Sequence, residues 1–144
     1  MPRQDFRFSF PFRVRYAEVD QQGIVFNAHY LTYFDTAITE YFRWLEYDYI
    51  GQPARTGTDF HVVRSLIEYA SPIRFDEEID ILVRAGRIGR SSLTLLLEIH
   101  GKGREDLRAT GEIVWVNADQ TTRRSTPIPP DLTERLAAMG EAYL

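Results

Sequence analysis

The sequence has no cysteine, one lysine among its 17 basic residues, and three histidines. The missing cysteine excludes a disulfide framework, a thiolate zinc site and a cysteine nucleophile. His29, His61 and His100 lie far apart and form no close pair, so no metal centre and no cofactor are expected. Long apolar runs are absent: nothing approaches the roughly 18–20 residues of a membrane span. The first five residues, Met1 to Asp5, lack the apolar core of a secretory signal. A cytoplasmic location is therefore expected. The net charge of −4 lacks the basic excess of a general nucleic-acid binder.

What remains is a chain of 144 residues, 44% hydrophobic and 13% aromatic. That suits one globular domain over residues 1–144, with enough chain for a real core. Phe6, Phe8, Phe10, Phe12, Val14 and Tyr16 alternate with polar residues and Pro11, which predicts a strand over 6–16. Pro11 cannot donate to a ladder and places that strand at an edge or bulge. The period then changes. Ala28, Leu31, Phe34, Ile38, Tyr41, Phe42 and Leu45 recur at helical spacing, with Asn27 as N-cap. Residues 51–57 carry turn chemistry. Four strands are expected at 61–70, 78–88, 92–101 and 107–117. Their short joints favour antiparallel neighbours. Residues 131–143 read as a short terminal helix. The economical architecture is α+β, one antiparallel sheet curled around one long apolar helix.

The stretch from Tyr16 to Tyr30 joins the first strand to that helix and holds Glu18, Asp20 and Gly23. A helix start carries unpaired N–H groups and partial positive charge. Such a terminus can polarise a carbonyl, while a nearby carboxylate attacks it or deprotonates a water. The pair suits acyl transfer or hydrolysis. Glu18 alternates with Tyr16 and is expected to face solvent, as is His100.

The pattern Asp20-x-x-Gly23-Ile24-Val25-Phe26-x-x-x-Tyr30, followed by Tyr33-Phe34-Asp35, resembles the 4-hydroxybenzoyl-CoA thioesterase family of hotdog-fold proteins, which includes the YbgC-type acyl-CoA thioesterases. Weaker matches follow in order: Glu68-Tyr69-x-x-Pro72-Ile73-Arg74-Phe75-Asp76-Glu77, Gly89-Arg90-Ser91-Ser92, and Gly111 to Val116. The resemblance implies a hotdog fold and hydrolysis of an acyl-CoA to a free acid and CoA. Asp20 falls on the family's catalytic aspartate, as nucleophile or as general base. The backbone N–H around Asn27 falls on its oxyanion position, where many YbgC-type members carry histidine. Gly23 would let the loop approach substrate closely. Val25, Phe26, His29 and Tyr30 are the expected pocket residues. Arg87 and Arg90, flanking the turn before Ser91 and Ser92, are candidates for the CoA phosphates. Arg123 and Arg124 are a second pair.

Family relatives also pair across dimers or tetramers, with sites at the subunit interfaces, so a homo-oligomer is implied. Two alternatives stay open: a noncatalytic acyl-thioester scaffold, and hydratase or dehydratase chemistry on the same fold.

Overall fold

A computed structural model describes residues 2–142. The first strand, β1 (Phe8–Arg13), runs into a 3-10 turn at Tyr16–Glu18. A loop leads to α1 (His29–Trp44) and then to the one-turn α2 (Gln52–Thr56). Four strands follow, β2 (Thr58–Tyr69), β3 (Glu78–Ile88), β4 (Ser92–Gly101) and β5 (Leu107–Asp119), before α3 (Pro130–Ala138). The strands form one sheet in the order β1-β3-β4-β5-β2. β1 pairs antiparallel with β3, Phe8 opposite Val83 and Arg13 opposite Glu78. The turns from β3 to β4 and from β4 to β5 are short enough that only antiparallel neighbours fit them.

Several expectations are met closely. The strands at 78–88 and 92–101 have the expected bounds. Ile79, Ile81, Val83 and Ala85 of β3 are buried, as are Leu93, Leu95, Leu97 and Ile99 of β4. Pro11 does sit in an edge strand, opposite Asp80.

Others need correction. The first strand covers only 8–13, because the chain turns at Tyr16–Glu18, where the Glu18 carboxylate accepts the Arg15 N–H at 2.7 Å. Residues 52–56 are a helical turn rather than a plain loop, started by Pro53 and closed by Gly57 at φ 72°. Leu31 belongs to the helical stripe by spacing yet is exposed. The terminal helix ends at Ala138. Tyr143, to which it was expected to extend, lies outside the described residues.

The chain falls into two compact units. One gathers residues up to Tyr41 with Ile67–Arg84 and Leu97–Gly111; the other gathers Phe42–Leu66, Ala85–Leu96 and the chain from Glu112 on. In the first, Tyr33 of α1 packs on Phe12 (4.9 Å between ring centres) and Tyr41 on Phe8 (5.6 Å). Gly111 is required there: a Cβ would come within 2.5 Å of Phe34 Cε2. In the second, Phe42 stacks on Trp115 at 5.3 Å, nearly parallel. Burying each such aromatic contributes on the order of 1.5–3 kcal/mol. A buried polar cluster completes that core. Gln52 Nε2 donates to Asn117 Oδ1 (2.8 Å), the Tyr47 hydroxyl donates to Gln52 Oε1 (2.6 Å), and Asn117 Nδ2 donates to the Pro127 carbonyl (3.0 Å).

Candidate active site

The loop after the 3-10 turn folds back on itself. Asp20 N–H donates to the Ile24 carbonyl at 2.9 Å and Gly23 N–H to the Asp20 carbonyl at 3.0 Å. Gly23 takes φ 73°, a conformation natural to glycine and strained for other residues. Asp20 Oδ1 accepts the Gln22 N–H at 2.8 Å, an Asx turn. Its Oδ2 has no hydrogen-bond partner among the described residues.

Glu18 braces the loop from beneath. It is buried, which corrects the expectation that it faces water. Oε1 accepts the Arg15 N–H and the Tyr33 hydroxyl (2.9 Å); Oε2 accepts Arg15 Nε (2.8 Å) and Nη2 (2.5 Å). Burial alone would push the Glu18 carboxyl up, but the hydrogen bonds from Arg15 and Tyr33 outweigh it and hold the group below its ordinary value. Burial, then the Glu18 bond, push the Tyr33 phenol far up, so Tyr33 stays neutral and donates. The Glu18 carbonyl accepts the Phe26 N–H at 2.9 Å, tying the helix approach to the same brace.

The chain then enters α1. Val25 N–H donates to the Ile73 carbonyl, His29 N–H to the Phe26 carbonyl and Tyr30 N–H to the Asn27 carbonyl. Asn27 therefore serves the helix start with its carbonyl, and no side-chain cap bond from it is found among the described residues. The N–H groups of Asn27 and Ala28 meet no acceptor among those residues either.

A cavity of about 380 Å³ opens beside this loop. Of the expected residues, Asp20, Val25, Asn27 and Tyr30 line it; Gly23, Phe26 and His29 do not. Gly23 shapes the turn, and Phe26 and His29 meet edge to face at 6.0 Å. Gln22 and Ile24 also line the cavity, as do Tyr69, Ala70, Ser71 and Pro72, which lead out of β2. The last four were not nominated from sequence, although the Glu68-Tyr69-x-x-Pro72 match lay over them. Tyr69 stands edge-on to Tyr30 at 4.9 Å, and its hydroxyl donates to the Asn27 carbonyl at 3.4 Å.

Arg87, Arg90, Ser91 and Ser92 lie in the second unit, at the turn from β3 to β4. They do not line this cavity. Arg87 and Arg90 are exposed and have no carboxylate partner among the described residues, as also holds for Arg123 and Arg124. His100 corrects the last orientation. It is buried, accepts the Asp106 N–H on Nδ1 at 3.0 Å, and pairs with Glu98 through Nε2 at 2.9 Å. Among the described residues there is no cluster of acidic, histidine or cysteine side chains able to hold a metal, and no helix long and apolar enough to cross a membrane.

One cavity thus gathers a carboxylate with an unengaged oxygen, Asp20, and a residue at the start of α1, Asn27. Residues 14–136 match the model of the thioesterase-like superfamily, and the chain belongs to that family. Its five-stranded sheet and long helix are the hotdog fold. The PA5185 protein of Pseudomonas aeruginosa has a solved structure at TM-score 0.83 and 28% identity, covering 99% of this chain and 97% of that one. The acyl-CoA thioesterase YbgC of Haemophilus influenzae is 31% identical over 91 residues, 63% of this chain and 65% of that protein. That match spans slightly less than two thirds of the Haemophilus protein. The acyl-CoA thioester hydrolase YbgC of Escherichia coli is 25% identical over 126 residues, 87% of this chain and 92% of that protein.

Proposed function

We propose that this protein hydrolyses acyl-CoA thioesters at the Asp20 cavity, releasing a free acid and CoA. The observation that carries the reading is the Asp20 carboxylate on the cavity, with Oδ2 unengaged, and on the same cavity Asn27, whose N–H meets no acceptor among the described residues. The family and the YbgC relatives support the reaction class.

In this reading the thioester oxygen lies toward the Asn27 and Ala28 N–H groups, which stabilise charge as the carbonyl becomes tetrahedral. Asp20 either attacks the carbonyl directly, expelling the CoA thiolate and leaving an acyl anhydride on Asp20 that water then hydrolyses, or takes a proton from a water that attacks the carbonyl itself. The CoA thiol, with a pKa on the order of 8–9 like cysteine, leaves as thiolate without a dedicated acid. Neither the oxyanion donor nor Asp20 needs a metal or prosthetic group. Arg87 and Arg90, exposed on the second unit and without a carboxylate partner among the described residues, are proposed separately as an anion-binding pair suited to phosphate.

The functional unit is proposed to be a homo-oligomer, working in the cytoplasm. Its support is the outer strand β2, where Val62, Val63 and Leu66 are exposed.

The test is Asp20→Asn and Asp20→Ala on a panel of acyl-CoAs. Hydrolysis should fall by about 10²–10⁴ with the fold retained. Hydrolysis at the wild-type rate refutes the role of Asp20. Tight acyl-CoA binding by the wild type without turnover favours the scaffold reading instead.

A further inference from the structure

One wall of the cavity is held by the backbone and side chain of a single buried residue. Ala70, Ser71 and Pro72 are exposed and line the cavity. None has a long side chain to anchor itself, and the next buried apolar residue is Ile73. The wall hangs instead on Arg108 of β5. The Arg108 carbonyl accepts the N–H groups of Ala70 (2.9 Å) and Ser71 (3.1 Å). Its guanidinium returns to the same segment, and Nη1 donates to the Pro72 carbonyl at 2.9 Å. One residue therefore grips three successive wall residues.

The guanidinium has no freedom to move. Nη1 and Nη2 fork onto the Glu77 carboxylate at 2.9 and 2.7 Å. Nε and Nη2 donate to Asp106 Oδ2 at 3.1 and 2.8 Å. With the Pro72 bond, every N–H of the fork is used. The bonds to Glu77, then those to Asp106, raise the Arg108 pKa above its ordinary value, and Arg108 holds both carboxyls below theirs. Behind Asp106, the His100–Glu98 pair fixes the backbone that carries it. On the other side Glu77 accepts the Arg74 N–H at 2.8 Å, and residue 74 bridges to Ile24 of the Asp20 loop. The wall is thus suspended between Arg108 and the loop that carries the carboxylate.

We propose that Arg108 is a positioning residue for the acyl pocket: its fork sets the place of the Ala70–Pro72 wall, and with it the room left for the acyl group. This rests on the reading of the cavity as the thioester site. Arg108 touches no reacting atom. Losing the guanidinium leaves Asp20, the Asn27 and Ala28 N–H groups and the two bonds to the carbonyl of residue 108 in place but releases the Pro72 end of the wall, so substrate binding weakens more than the chemistry does. A lysine keeps the charge but not the planar fork, and cannot hold Glu77, Asp106 and Pro72 together.

The experiment compares wild type with Arg108→Lys, Arg108→Met and the milder Glu77→Gln, with Asp20→Asn alongside. CoA release is followed by a thiol reagent, to which a chain with no cysteine adds no background. For Arg108→Lys, KM for bulky acyl-CoAs should rise about tenfold while kcat stays within about threefold. Amide exchange at Ala70 and Ser71 should speed up in parallel. A purely structural role would lower apparent kcat for every substrate through the folded fraction and leave KM alone. Wild-type KM and wild-type exchange in a folded Arg108→Lys or Glu77→Gln protein overturn the proposal, even if Arg108→Met fails to fold. If Asp20→Asn hydrolyses at the wild-type rate, the reading of the cavity fails, while the exchange data still decide whether Arg108 holds the wall.

Discussion

Removing the Glu18 carboxylate tests whether the brace beneath the Asp20 loop holds the protein together. In Glu18→Ala, the Tyr33 hydroxyl stays buried and loses its acceptor. An orphaned buried donor costs about 1–3 kcal/mol. The 3-10 turn also loses the bond to the Arg15 N–H, worth about 0.5–1.5 kcal/mol. The Arg15 guanidinium is exposed and turns to water, which replaces the lost carboxylate. Together these predict a loss of about 2–4 kcal/mol, or on the order of 6–12 °C in Tm for a chain of this size. Urea unfolding, read through Trp44 and Trp115 fluorescence, measures it, with the slope against urea unchanged.

The double variant Glu18→Ala/Tyr33→Phe removes the orphan along with its acceptor. It should be less destabilised than the two single changes added together, by about 1 kcal/mol or more. The Glu18 carboxyl is held below its ordinary value of 4.5 in the folded protein. Its contribution is therefore full above that pH and is lost as pH falls through the lower, folded value. The gap between wild type and Glu18→Gln should close on acidification below about 4.5 and stay constant at neutral pH. A loss under about 0.5 kcal/mol, strict additivity, or a gap that widens in acid would refute the reasoning.

Two further outcomes follow from the packing. Gly111→Ala drives a methyl onto the Phe34 ring and should cost about 1–3 kcal/mol, relieved by Phe34→Leu in the same chain; thermal melts compare the three. Asn117→Ala leaves Gln52 Nε2 and the Pro127 carbonyl short of a partner and should cost about 2–4 kcal/mol in urea unfolding, whereas a surface change such as Thr121→Ala in the following turn should cost far less.

β3 and β4 were legible because their apolar residues alternate without interruption, and glycine and serine mark the turn between them. The Asp20 loop was legible because a carboxylate, a glycine and a helix start fall within a few residues. Orientation was harder to read. Periodicity shows that Glu98 and His100 share a face of β4, but not that this face is dry. They are buried because they bond each other and the Asp106 N–H, which lies in the next turn. Glu18 was misread for the same reason: its partner Tyr33 is fifteen residues away. The second wall of the cavity escaped because Ala70 and Pro72 have no chemistry of their own. Arg108, which holds them, looks in the sequence like any of the other arginines.

The two ends of the sheet are unequal as sites for further growth. β1 is six residues long and lacks a donor at Pro11; β2 is twelve residues long, with exposed valines along it. A strand joined to the β1 end would find a short, interrupted ladder. If two copies meet through β2, each uses the same strand, and the longer of the two edges among the described residues is consumed. Such an assembly is self-terminating: it closes as a symmetric pair rather than extending as a fibre. One proline in the first strand thereby helps set the polarity of the whole sheet as a polymerisation surface.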